Sequence, residues 1–302
     1  MRCFYSEDFF LPLPPGHPFP MAKFRDSCVA LLAKGVIDKT ALVAVQPASD
    51  EVLLRVHSSD YLGKLRTCQI TRAEEVKLGL PITPQLFPRS AMETEATRQA
   101  CWAALEDGAA AVLAGGTHHA FADRGEGYCV LNDVAVAVRD LQVKRPGIKV
   151  LVVDTDAHQG NGTHALLRED PNVFCYSIHV GKNYPTTKVP GDLDVETVRY
   201  VEGDVYLKKL RESLSGVMET FKADLVIWIS GADPHRNDRF GQMLLTLAEI
   251  KERDRFVSQL AFSRNLPTVL LYGGGYNRQV INTAKIHAST VQTFKETFEE
   301  SR

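Results

Sequence analysis

Asp154, Asp156 and His158 recur at every second position where the apolar run Lys149–Asp154 ends. On an extended strand that spacing puts all three side chains on one face. Two carboxylates and an imidazole on one face are costly in a core unless they are paired or bind a cation. Oxygen and nitrogen donors of this kind suit zinc or a related first-row divalent ion. Asp233 follows a separate apolar run, Leu225–Ser230, and can add a ligand from across a sheet. Asp156, His158 and Asp233 would then hold one metal with a position left open, as catalytic sites do. Such a site carries about zero net charge, so a neighbouring base would help it activate water. His118 and His119 follow Gly115-Gly116 and are candidates for that base, able to take a proton from water and pass it to a leaving amine. Each needs an acceptor on its other ring nitrogen, and Asp154 and Asn161 are candidates. Gly273–Gly275 would turn the chain tightly and present Tyr276 as a hydrogen-bond donor to a developing oxyanion. Each motif alone has a plainer reading: a solvated strand end, surface histidines, a glycine turn with a packing tyrosine. Their joint placement favours chemistry.

The elements that must position these groups alternate between two types. Strand-like runs are Met1–Tyr5, Ala41–Val45, Ala110–Ala114, Lys149–Asp154, Val173–His179, Leu225–Ser230 and Thr268–Tyr272. Most are apolar throughout, as strands of a covered parallel sheet are. Amphipathic stretches lie at Met21–Lys34, Met92–Asp107, Asp133–Lys144, Tyr206–Lys222, Gln242–Arg264 and Ile281–Glu299. This alternation predicts an α/β protein, a single domain spanning residues 1–302, with a central, mostly parallel sheet flanked by helices. The Pro-rich segment Leu11–Pro20 and the stretches Leu78–Arg89 and Gly181–Val205 read as loops, the last two long enough to build a binding mouth. The motif residues all fall at the carboxyl ends of predicted strands, the edge where open parallel sheets bind ligands.

Composition excludes several classes. With 35 Lys+Arg against 37 Asp+Glu, the formal charge is −2, and no basic nucleic-acid surface is expected. Hydrophobic and charged fractions of 44% and 24% are those of a folded globular chain. No apolar run approaches the ~20 residues of a membrane helix. The opening MRCFYSEDFF lacks the apolar core of an export signal. The six cysteines are scattered and never form C-x-x-C, which predicts reduced thiols in a cytoplasmic protein and argues against a cysteine-based zinc site.

Five segments in order resemble the zinc-dependent histone deacetylase superfamily, which also includes acetylpolyamine amidohydrolases. They are Gly115–Ala120, Gly127–Asp133, Asp154–Gly162, Gly231–Asp233 and Gly273–Tyr276, and the resemblance runs from His17-Pro18 to the last helix. The Ala-His-Gln-Gly-Asn-Gly variant and the small size are most similar to the class IV branch and its bacterial relatives. The resemblance implies an arginase-like fold and removal of an acetyl or longer acyl group from the ε-amine of lysine. An acylated polyamine or another small N-acyl amine is the alternative substrate. It implies one zinc per chain, or iron(II), on Asp156, His158 and Asp233. It implies His119 as general base and acid, His118 as its electrostatic partner, and Tyr276 polarising the carbonyl. Tyr128, Gly127 and Gly274 would line a narrow acyl-lysine channel, with His179 and Tyr184 on the opposite wall. A structural potassium would sit near Asp154, Asp156, His158 and Ser177. Two departures stand out: Asn161, where many relatives carry Asp, and Pro234-His235-Arg236-Asn237, where relatives commonly carry an acid near Arg236. Asp192, Asp194 and Glu196 are candidates for the acidic mouth a polyamine would want, but read more readily as a solvated loop.

Three other readings are weaker. The two-manganese arginase group needs a second Asp in D-A-H-x-D, where this chain has Gly160. Gly160-x-Gly162-x-x-Ala165 imitates a dinucleotide fingerprint but does not follow its strand directly. A non-catalytic acyl-group reader would have lost Tyr276, the histidine pair or a ligand, and all are present.

Overall fold

The seven apolar runs and one further segment form eight strands: β1 (Arg2–Phe4), β2 (Leu42–Val43), β3 (Ala109–Val112), β4 (Val150–Asp154), β5 (Val173–Val180), β6 (Leu193–Thr197), β7 (Leu225–Ile229) and β8 (Thr268–Leu271). The structure, a computed structural model, describes all 302 residues. The strands make one sheet in the order β2-β1-β3-β8-β7-β4-β5-β6, and every neighbouring pair is parallel. β3, β4, β7 and β8 are buried at every position, which their Val-, Ile-, Leu- and Ala-rich sequences demand of a sheet covered on both faces.

Ten helices connect the strands: α1 (Lys23–Ala33), α2 (Asp50–Leu53), α3 (Ser59–Arg66), α4 (Arg72–Leu78), α5 (Leu86–Asp107), α6 (Asp133–Lys144), α7 (Asn161–Leu167), α8 (Gly203–Thr220), α9 (Leu247–Phe262) and α10 (Val280–Glu300). α1, α10, α9 and α8 pack in one row, and α5, α6 and α7 in another. A single cluster of 79 buried hydrophobic residues runs through the molecule, so no boundary divides it. No helix is long and apolar enough to cross a membrane.

Three departures from the sequence reading have local causes. Within the expected loop Gly181–Val205, Leu193–Thr197 pairs with β5 as the edge strand β6; its alternating LDVET pattern is that of a strand with one face open. The expected loop Leu78–Arg89 shrinks because α5 starts at Leu86. Pro88 lies in its first turn, where a missing N–H costs nothing. α2, α3, α4 and α7 are short helices that periodicity does not register, although Thr71 and Glu74 close a capping box on α4.

The topology places the chemistry. β3, β8, β7 and β4 are consecutive in the middle of the sheet, and each runs at its carboxyl end into one of the polar motifs. Four segments distant in sequence therefore meet at one edge.

Candidate active site

β4 ends at Asp154, and the extended geometry ends with it. The Asp156 amide donates to Asp154 Oδ1 (3.0 Å) and the His158 amide donates to Asp156 Oδ1 (2.9 Å). These two aspartate-capped turns separate the side chains that a straight strand would have aligned. Asp154 turns to His118, while Asp156 and His158 meet Asp233 from the end of β7. One side-chain oxygen or nitrogen from each of these three lies within 4.8 Å of the others, and all three residues are buried. His158 Nδ1 faces both Asp156 Oδ1 (3.1 Å) and Asp233 Oδ2 (2.9 Å). The outer carboxylate oxygens are held by backbone: Asp156 Oδ2 accepts the Gly274 amide (2.6 Å) and Asp233 Oδ1 the Ala157 amide (3.0 Å). Gly274 has to be glycine, since a Cβ there would lie 2.4 Å from Asp233 Oδ2 and 2.6 Å from Asp156 Oδ2. Burial, with Asp156 adding to it, pushes the Asp233 carboxyl up to about 7. Two buried carboxylates aimed at one imidazole nitrogen are a poor arrangement without a cation and a good donor set for a divalent one.

The histidine pair is fixed from the helix row of α5, α6 and α7. Gly115 and Gly116 adopt φ of +79° and +71° after β3. The Gly115 amide donates to Glu93 of α5 (3.0 Å), and the Gly116 and Thr117 amides donate to Asp133 of α6 (2.9 and 2.8 Å). Asn132 caps α6 through the Ala135 amide and donates to the Ala120 carbonyl (2.9 Å). His118 Nδ1 bonds Asp154 Oδ2 at 2.6 Å, and His119 Nδ1 bonds Asn161 Oδ1 at 2.7 Å. The two rings lie 4.0 Å apart but in opposite fields. Burial works against a charge on His118, yet Asp154 and Asp156 raise it to about 9. Burial, and then His118 and His158, hold His119 well below the usual histidine range. One histidine is thus charged and its neighbour neutral, the pattern expected of a base beside a fixed charge.

Tyr276 follows the Gly273–Gly275 turn and is gripped at its backbone. Its amide donates to Asp238 Oδ2 (2.6 Å) and its carbonyl accepts from Arg239 Nε (2.8 Å). The Asp238 carboxylate also takes the Phe240 and Gly241 amides. Burial first, then Asp156 and Asp233, push the Tyr276 phenol well above its ordinary value, so it stays a donor. Sequence patterns gave no sign of Asp238 or Arg239 as supports, because neither lies on a periodic face or in a short motif, and the periodicity of Met92–Asp107 does not show that Glu93 turns to Gly115.

A cavity of about 310 Å³ leads from the surface to His119, His158 and Tyr276. Tyr128, Tyr184 and Phe240 line it, and Gly127 keeps it open: a Cβ there would stand 2.7 Å from His119 and 2.9 Å from Tyr184. Tyr128 holds φ of +69°, uncommon for a bulky residue, with its amide bonded to the Leu78 carbonyl at 2.7 Å. A smaller recess of about 30 Å³ lies beside His118, His119 and Gly274.

Two expectations for the channel fail. His179 is fully buried; its Nδ1 bonds Ser177 Oγ at 2.9 Å and its carbonyl takes the Thr197 hydroxyl, so the ring packs behind β5 and lines no wall. It sits on the inward face of a strand whose other residues gave no way to choose a side. Gly274 backs the two carboxylates and borders the recess instead of the main cavity. Ser177 is the register partner of Asp154 across β4–β5. Asp192, Asp194 and Glu196 lie on or next to β6 and do not line the cavity; Asp192 takes the Cys175 amide, and Asp194 takes Gln159 and the Gly191 amide.

A parallel α/β sheet carries these groups at its carboxyl edge, and the comparisons show the family. The model of the histone deacetylase domain matches residues 17–292, and the chain belongs to that family. It is 34% identical to an uncharacterised protein of Picosynechococcus sp. over 94% of this chain and 95% of that one. It is 30% identical to histone deacetylase 2 of Arabidopsis thaliana, over 95% of this chain and 77% of the relative. The acetoin utilization protein AcuC of Staphylococcus aureus is 28% identical, over 86% and 73%. In fold it is similar to a histone deacetylase homolog from Aquifex aeolicus, with a TM-score of 0.82 and 23% identity over 99% of this chain and 87% of that structure. Membership makes the chain a hydrolase of the deacetylase and amidohydrolase type, in a family that is generally metal-dependent.

Proposed function

We propose that the protein is a zinc-dependent deacylase that removes an acyl group from the ε-amine of lysine in peptides or proteins. The observation that carries this reading is the Asp156–His158–Asp233 cluster at the floor of a cavity that His119 and Tyr276 also line. A divalent ion held by those three residues supplies Lewis-acid polarisation of the amide carbonyl and acidifies water. The His119 Nδ1 proton donates to Asn161, which leaves Nε2 as an acceptor on the cavity side. His119 Nε2 takes a proton from the attacking water. The Tyr276 hydroxyl donates to the carbonyl oxygen as negative charge gathers on it. His119 returns its proton to the nitrogen as the C–N bond breaks, leaving a carboxylate and a free amine. His118, kept charged against Asp154, holds the His119 pKa down, so that His119 is neutral before the attack and gives its proton up readily after it.

Acyl-lysine is favoured over acylpolyamine because no carboxylate lines the cavity, and a polycation would find no counter-charge there. The test is amine release from an acetyl-lysine peptide and from an acetylpolyamine by the same zinc-loaded sample. Faster release from the peptide is expected. Hydrolysis of the polyamine alone would overturn the preference.

Asn161 gives a second check. An amide orients His119 without a negative charge, whereas a carboxylate would favour the imidazolium. Asn161→Asp is therefore expected to raise the pKa of His119 and move the acid limb of the kcat/KM profile to higher pH. An acid limb that stays put or moves down contradicts the role given to His119.

A further inference from the structure

The rim of the cavity is cationic, although the chain as a whole carries a formal charge of −2. Lys77 and Arg239 line the cavity together with Tyr276 and His119, and no Asp or Glu does. Lys77 is exposed and has no carboxylate partner. Arg239 is exposed too; it bonds only the carbonyls of Tyr276 and Pro18. The segments that supply the lining carry three more exposed cations, Lys182 beside Asn183, Arg236 near Asp238, and Arg278 just after Tyr276, and none forms an ion pair.

The nearby acids are already engaged. Asp238 is spent on the Tyr276, Phe240 and Gly241 amides. Glu126 and Asp123 both bind Arg124, at 2.8 and 3.0 Å. Glu75 pairs with Arg72 and Glu74 with Lys64. Glu196, on the edge strand β6, is unpaired but does not line the cavity. A cavity lined by free cations and by no carboxylate selects for negative charge in whatever lies across its rim, and steers it in at low salt.

We infer that the substrate is a peptide segment in which the acyl-lysine is flanked by Asp or Glu. This rests on the deacylase reading and adds the sequence context. With the acyl-lysine inserted past Tyr128 and Tyr184, the residues on either side of it lie over the rim that carries Lys77 and Arg239. Two exposed pairs of this kind together correspond to about a tenfold preference. The preference falls in KM, because the rim touches residues remote from the bond that breaks.

The experiment compares three peptides of equal length and identical acetyl-lysine, with Glu, Ala or Lys at the flanking positions. Steady-state turnover is measured on the zinc-loaded protein, and equilibrium binding on zinc-loaded His119→Ala. The Glu peptide is expected to have about tenfold higher kcat/KM than the Ala peptide, with the Lys peptide lower still. The difference should largely vanish near 1 M salt, where the screening length falls to about 3 Å. Within Lys77→Glu the Glu-to-Lys ratio should fall severalfold. Equal kcat/KM for the three peptides, or a preference for the Lys peptide, overturns the inference while leaving the deacylase reading intact. Binding in the order Glu, Ala, Lys with no turnover of any peptide would sustain the rim's role and overturn the deacylase reading.

Discussion

His119→Ala is expected to lower kcat on an acetyl-lysine peptide by ~10²–10⁴, with little change in KM and none in metal content. The ring is buried, neutral, and tied through Nδ1 to an amide that carries no charge. Its free nitrogen is the group in the cavity able both to take a proton from water and to give one to a leaving amine at neutral pH. His118 cannot replace it, since Asp154 holds its proton at 2.6 Å and raises its pKa to about 9. The residual rate in the variant reports what Tyr276 and the metal contribute without a base. Wild-type turnover in His119→Ala would assign the proton transfers elsewhere. A fall matched by a loss of bound metal would make the residue a support of the metal centre.

Asp156→Ala is expected to cost at least as much, about 10³-fold or above, because it removes the several kcal/mol that carbonyl polarisation supplies. A stability measurement separates this from misfolding. In the wild type Asp156 and Asp233 are both fully buried, and Asp233 is pushed up to about 7 by burial with Asp156 adding to it. Removing Asp156 relieves that repulsion but leaves the buried Gly274 and His158 amides without their acceptor. Metal-free Asp156→Ala should therefore unfold at a temperature below that of the metal-free wild type. Added zinc should raise the Tm of the wild type far more than that of the variant, because a ligand stabilises only the state that binds it. Equal zinc-induced shifts in the two proteins would remove Asp156 from the metal site, and undiminished turnover would remove it from the reaction.

The central sheet and its polar edge were legible because they rest on strong signals. β4, β7 and β8 are uninterrupted apolar runs that end in Asp, Gly or Tyr, and burial on both faces leaves few other readings. The pairings of His118 with Asp154 and His119 with Asn161 followed from the need of each buried imidazole for an acceptor, and both bonds are present. What was not legible depends on three-dimensional closure. An extended Asp154–His158 run is the simplest inference from period two, but each aspartate captures an amide two residues on and turns the chain. His179 carries the same kind of side chain as the histidines of the site, and only the pairing of β5 with β6 shows that it faces inward. The grip of Asp238 and Arg239 on Tyr276 joins residues nearly forty positions apart with no pattern in between. Free rim cations could not be told from ordinary surface charge until their neighbours' partners were known.

The most direct test of the metal-centred account is a stoichiometric add-back. The protein is stripped with a chelator, returned to measured zinc-to-chain ratios, and assayed for release of acetate from an acetyl-lysine peptide. Activity is expected to be absent without metal, to rise in proportion to zinc, and to level off at one ion per chain on the single Asp156–His158–Asp233 cluster. Full activity in the stripped protein, or a plateau reached only at two ions per chain, would contradict it.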